Sequence, residues 1–232
     1  MKRLLAEHVD MQFEDVRTML RLPAPGLAGG CNFAAASLIF NTIAGSSVCF
    51  YQTSEKAFTT RGDRSDRFKK LIEDFYPWEG ESLGKVQAVE LLYEAARNPL
   101  AHTLGLDAPP ASGHIAREIA LAKWALTEAE IAELEQSATR PAWAGPTLRK
   151  EATLSGVDRF AVSVPALYWG INRMLHALFA DPMQIVNAEA VAKRFGPLWD
   201  KYISIGDAVT VSDADGVKAD IAKRPPPRAP AE

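Results

Sequence analysis

The sequence predicts a mainly α-helical domain whose C-terminal half is elaborated and includes a short β-hairpin. Three observations carry that expectation. Apolar residues recur at three- and four-residue spacing in Lys2 to Leu22, Ser82 to Ala96 and Pro165 to Ala180. No charged residue falls between Arg21 and Glu55, the mark of a helix packed on all sides. Strand-compatible stretches are confined to Ile115–Trp124, which also reads as a poor helix, and to Thr147–Val164.

Taken in order, Leu5, Val9, Phe13, Val16 and Leu20 form the apolar stripe of a first helix that Pro23, Pro25 and Gly26 end. Asn32 is placed to cap the uncharged helix that runs to about Tyr51. Its window from Phe33 to Tyr51 is about long enough to cross a bilayer, but Ser37, Asn41, Thr42, Gly45, Ser46 and Ser47 interrupt it, so a buried helix is expected. Asp63 to Phe75 follows, with Phe68, Leu71, Ile72 and Phe75 as its buried side and Pro77 as its stop. Ser82 to Ala96 carries Val86, Val89, Leu92 and Tyr93 on one side. Thr127 and Glu130 have capping-box spacing and start a helix to about Ser137, and Arg140 to Pro146 is a loop. Leu167, Ile171, Leu175 and Leu178 are the core of the Pro165 helix, and a further helix spans Asn187 to Tyr202, bent at Gly196-Pro197. Residues 1–222 are expected to form one domain, with 107–164 as an insertion. The tail from Lys223, KRPPPRAPAE, has no large apolar side chain and is expected to be disordered.

A chain of 232 residues with 47% hydrophobic content is long and apolar enough to bury a core. Its net charge of -3 argues against coating nucleic acid through bulk electrostatics, so any such binding needs a local basic patch. Cys31 and Cys49 lie in an apolar stretch with no metal-ligand spacing and read as buried thiols in a reducing compartment. Glu7, His8 and Asp10 follow Lys2 and Arg3 where a signal peptide needs an apolar run. The expected location is cytoplasmic, with no membrane association.

Chemistry concentrates in Glu94-Ala-Ala-Arg97-Asn98-Pro99-Leu100-Ala101-His102. Proline lacks an N–H and clashes with the preceding turn, so the helix must kink or restart there, with Asn98 as N-cap and Pro99 in the first helical position. On an unbroken helix Arg97 and His102 would point roughly 140° apart. The break lifts that constraint and allows both to reach one end of the restarted helix. Arginine offers a permanent cation shaped for phosphate, and histidine both takes and gives a proton near neutral pH. Together they suit cleavage of RNA without a metal or cofactor. A bare Arg-x4-His occurs by chance in roughly one such chain in four, and Arg3 to His8 is a second copy here. Requiring asparagine after the arginine lowers the chance to about one in a hundred. The bland alternative is a helix junction in which Arg97 pairs with a carboxylate such as Glu94 and His102 is a satisfied core residue.

Arg-Asn-x-x-x-His between two helices resembles the signature of the HEPN superfamily, and the resemblance covers Lys2 to about Leu106, with Pro165 to Ala180 as a closing helix. It implies a helical bundle of HEPN type and a metal-independent endoribonuclease in a toxin–antitoxin or phage-defence setting. It also implies a homodimer in which two motifs face each other, RNA as substrate, and an antitoxin or regulatory partner. Arg97 and His102 would be catalytic and Asn98 supportive. In one subgroup a tyrosine two positions after the histidine is modified; here that position is Leu104, which has no hydroxyl. The other reading that the resemblance leaves open is a non-catalytic, dimeric HEPN-like protein that binds nucleotide or a partner.

Arg61 to Lys70 reads RGDRSDRFKK, five basic and two acidic residues, and Arg61, Arg64, Arg67, Lys69 and Lys70 are the candidates to guide an RNA strand. A solvated helix start is the plainer reading. Phe75, Tyr76 and Trp78 follow and either stack on bases or pack a loop onto the core. His114 and His176 are far from each other and from any cysteine or carboxylate cluster, which gives no metal pattern.

Overall fold

The periodic apolar stripes do become helices. In the computed structural model, residues 2–24, 29–30, 32–51, 61–97, 117–121, 125–154 and 157–180 are described, all within the compact unit Met1–Ala188. Helix α1 (Lys2–Arg21) buries Val9, Phe13, Val16 and Leu20, as its spacing predicts. After it, β1 (Pro23–Ala24) pairs antiparallel with β2 (Gly29–Gly30). Helix α2 (Asn32–Tyr51) contacts α1, the third helix α3 (Arg61–Phe75) and the last helix, α6 (Val164–Ala180). It buries Ala35, Ala36, Ile39, Phe40 and Ile43, each worth up to about 1.5–3 kcal/mol for the larger side chains.

One expectation about α2 needs correcting. It is not packed on all sides, because Asn41 and Gly45 are exposed and Phe33 is 46% exposed. Its small and hydroxyl residues let neighbours approach instead: Thr42 donates to the Leu38 carbonyl (2.9 Å) and to Gln12 of α1. No described helix is long and apolar enough to cross a membrane.

Helix α3 buries Phe68, Leu71 and Ile72, while Phe75 is only half-buried and Tyr76 takes the inward position. Helix α4 (Lys85–Leu91) starts three residues later than the sequence suggests. The Ser82 hydroxyl instead donates to the Leu148 carbonyl (2.7 Å), and Gly84 precedes the first turn with no side-chain cap. Val86 consequently lies in the first turn and is 65% exposed, whereas Ala88, Val89 and Leu91 face inward. From Leu92 to Arg97 the helix widens into a π turn.

The stretch expected to be an insertion contains a small sheet and a helix. Strand β3 (Arg117–Leu121) pairs parallel with β5 (Val157–Val162), which pairs antiparallel with β4 (Leu148–Leu154), giving the order β3-β5-β4. The β4–β5 pair is the expected hairpin, with a bulge between Lys150 and Ala152. Leu148, Phe160 and Val162 are buried, while Lys150 and Asp158 pair in partial solvent (2.7 Å). Between β3 and β4, helix α5 (Glu128–Gln136) opens on the expected capping box: Thr127 Oγ accepts from the Glu130 N–H (3.2 Å) and Glu130 accepts from the Thr127 N–H (2.7 Å).

Polar contacts tie these pieces together. The Leu126 N–H caps the Leu20 carbonyl near the end of α1 (2.8 Å). Glu135 of α5 accepts from Arg17 of α1 (2.6 Å) and from the Tyr168 hydroxyl of α6 (2.6 Å). Ser163 caps α6, accepting from the Ala166 N–H (3.3 Å) and donating to the Ala144 carbonyl (2.6 Å). The expected helix at Asn187–Tyr202, the tail from Lys223 and the restarted helix after Asn98 lie outside the described residues.

Candidate functional site

The π turn is the local feature that the Arg97 motif shares with the described structure. Six residues, Leu92–Arg97, leave α-helical bonding just ahead of Asn98-Pro99. Such turns occur mostly as single bulges inside helices and recur at functional sites. Arg97 ends the turn, and of this residue only the backbone is described. Asn98 and His102 lie outside the described residues. The decoy His8 is exposed on α1, where it shares a hydrogen bond with Gln12 (2.7 Å).

Helix α3 is fastened to this turn. Lys69 donates to both oxygens of Glu90 (2.9 and 2.8 Å) and to Glu94 (3.5 Å), three residues before Arg97. Its ammonium also lies 5.0 Å from the centre of the Tyr93 ring, which packs on Phe68. Burial disfavours the Lys69 charge, but Glu90 and then Glu94 outweigh that penalty and raise its pKa. Strand β3 touches the same π turn.

The basic run is therefore not an open row of cations. Arg67 is buried at 7% exposure, Lys69 is held by two glutamates, and Lys70 pairs with Asp74 (2.8 Å). Arg61 and Arg64 belong to α3, and their side chains are outside those described. No protein family, characterised relative or solved structure matches this chain.

A second constellation went unseen in the sequence. A cleft of about 1000 Å³ opens among the Tyr76–Lys85 loop, the Ala138–Pro146 loop and α6. Two of its lining residues, Tyr76 and Arg140, belong to a buried polar network. Glu81, with a side chain 2% exposed, accepts from the Thr147 N–H (2.9 and 3.1 Å), from the Thr147 hydroxyl (2.8 Å) and from Arg140. Tyr76 shares a hydrogen bond with Thr147 and donates to the Ala166 carbonyl (3.2 Å). Burial, reinforced by the Glu81 charge, pushes the Tyr76 pKa well above its ordinary 10.0.

A tight turn delivers Glu81 to this place. The Glu81 N–H bonds the Trp78 carbonyl (3.3 Å), and Gly80 sits at the third turn position with φ 73°, where a side chain would be strained. Arg140 also donates to the Gly80 carbonyl (2.8 Å), so the turn and the guanidinium fix each other. Trp169 has two cations near its ring, with Arg140 5.9 Å and Arg173 5.7 Å from the ring centre. Trp78 is not a free stacking platform on both sides: its indole N–H donates to the Ile72 and Glu73 carbonyls (3.1 and 3.3 Å), and its ring packs on Tyr76. The visible hint in the sequence was Trp169-x-x-x-Arg173, one helical turn apart, which alone does not reveal Arg140.

His176 is exposed and lies 3.6 Å from Asp10, and His114 is outside the described residues. Among the described residues no three histidine, cysteine, aspartate or glutamate side chains gather as a metal site.

Proposed function

We propose that this chain is a metal-independent endoribonuclease of the HEPN type, acting as a homodimer in a toxin–antitoxin or phage-defence setting. The observation that carries the reading is the π turn that ends on Arg97, directly before Asn98-Pro99. It supports a helix irregularity at the motif, the condition under which Arg97 and His102 share one pocket. His102 then takes the ribose 2′-hydroxyl proton or supplies one to the leaving oxygen, and Arg97 offsets charge on phosphorus. Asn98 supports the geometry, and the attachment of α3 through Lys69 keeps the basic helix beside the motif.

Purified protein incubated with total RNA tests this beside His102→Ala and Arg97→Ala variants. Loss of acid–base catalysis is expected to slow cleavage roughly a hundredfold or more in the histidine variant. Equal cleavage by wild type and both variants removes the proposal.

One observation favours the non-catalytic, nucleotide- or partner-binding reading. With Arg67 buried and Lys69 committed to Glu90 and Glu94, less of the basic run is left to hold an RNA backbone. RNA cleavage by the wild type that His102→Ala abolishes would exclude it.

A further inference from the structure

The cleft beside Trp169 shares no residue with the Arg97 motif, and its wall is chemically uneven. Three cations line it, Lys85, Arg140 and Arg173, against one carboxylate, Glu79. Arg140 is neutralised by Glu81 beneath it. Arg173 meets only the neutral Ser137 carbonyl (2.6 Å) and the Trp169 ring among the described residues, and Lys85 is exposed with no ion pair there. Two uncompensated cations against one carboxylate leave the wall positive, which favours an anion.

The rest of the lining is aromatic and held firmly. Trp78 is anchored through its indole N–H, and Trp169 donates its own to the Ser137 carbonyl (3.2 Å). Ser137 thus receives both Trp169 and Arg173, which sets the ring and the guanidinium side by side on α6. Fixed rings next to a guanidinium are suited to a ligand with a planar, stackable part and an anionic part. A volume of about 1000 Å³ is ample for a molecule of that size.

We propose that this cleft binds a nucleoside monophosphate, with the base against the Trp78–Trp169 side and the phosphate on Arg173 and Lys85. Binding there is independent of RNA cleavage at Arg97 and His102, so either site can fail without the other.

Intrinsic tryptophan fluorescence reads the test, because Trp78 and Trp169 line the cleft, and calorimetry supplies an independent affinity. The full chain is titrated separately with each of the four nucleoside monophosphates, with adenosine, and with inorganic phosphate. At least one monophosphate is expected to bind at least tenfold more tightly than adenosine or phosphate, since each of those probes presents only half of the recognised chemistry. Arg173→Gln and Lys85→Gln are expected to weaken that monophosphate tenfold or more and about threefold, respectively. Lys85 is exposed and its side chain makes no hydrogen bond or ion pair among the described residues, so its variant keeps the test valid even where Arg173→Gln unfolds. The proposal is overturned when no monophosphate binds at millimolar concentration, when adenosine or phosphate binds as well as every monophosphate, or when Lys85→Gln leaves the affinity unchanged.

Discussion

Replacing Glu81 with alanine should be among the most damaging single changes in the described part of the chain, although it removes no apolar contact. The carboxylate is 2% exposed and accepts from Arg140, the Thr147 N–H and the Thr147 hydroxyl. Glu81→Ala strands a guanidinium whose side chain is only 10% exposed and leaves a backbone N–H near a buried tyrosine without its acceptor. Breaking a buried ion pair from one side costs about 3–5 kcal/mol, far more than the roughly 0–1 kcal/mol of a surface pair. Arg140 keeps its bond to the Gly80 carbonyl and its place beside Trp169, which holds the expected loss toward the lower end of that range. Urea denaturation near neutral pH, followed by tryptophan fluorescence and far-ultraviolet circular dichroism, measures the loss. Glu81→Leu combined with Arg140→Met removes both charges and should recover the part of the loss that comes from the stranded guanidinium, while the Thr147 N–H still lacks its acceptor. A loss below about 1 kcal/mol for Glu81→Ala, or a double variant as unstable as the sum of the single ones, would refute the reasoning.

Gly170→Ala should destabilise by about 1–3 kcal/mol, because a Cβ there would overlap the Tyr76 ring; unchanged thermal unfolding would show that the ring has room to move. Thr127→Ala should cost about 1 kcal/mol by removing the α5 capping box, measurable by the same urea titration. The hydrogen bonds from the Thr127 N–H and hydroxyl hold the Glu130 pKa below its ordinary 4.5. Their contribution is present above that pH and lost as the pH falls through the folded-state value, and the variant should flatten this acid dependence. At the other end, burial raises the Tyr76 and Tyr168 pKa values above 10.0, so the folded state keeps these phenolic protons more tightly than the unfolded chain. Stability is therefore complete below about pH 10.0 and falls as the pH rises through the folded-state values; phenolate absorbance from these two rings should appear only together with unfolding.

The sequence by itself determined whatever depends on neighbours a few residues apart. The stripes Val9-Phe13-Val16-Leu20 and Leu167-Ile171-Leu175-Leu178 became buried helix faces, and Thr127 with Glu130 became a capping box, because helical spacing and caps act within one or two turns. The same local logic marked Asn98-Pro99 as a break, and the helix leaves α geometry just before it. It failed where a distant partner intervenes: Ser82, expected inside the helix, donates its hydroxyl to the Leu148 carbonyl ahead of α4, and Val86 lies outside the core. The cleft was invisible for the same reason. Glu81 meets Arg140 across 59 residues, and Tyr76 meets Thr147 across 71. No periodicity spans such distances; only the packing of α6 and the β4–β5 hairpin brings those groups together, and burial then turns ordinary surface residue types into a paired polar network.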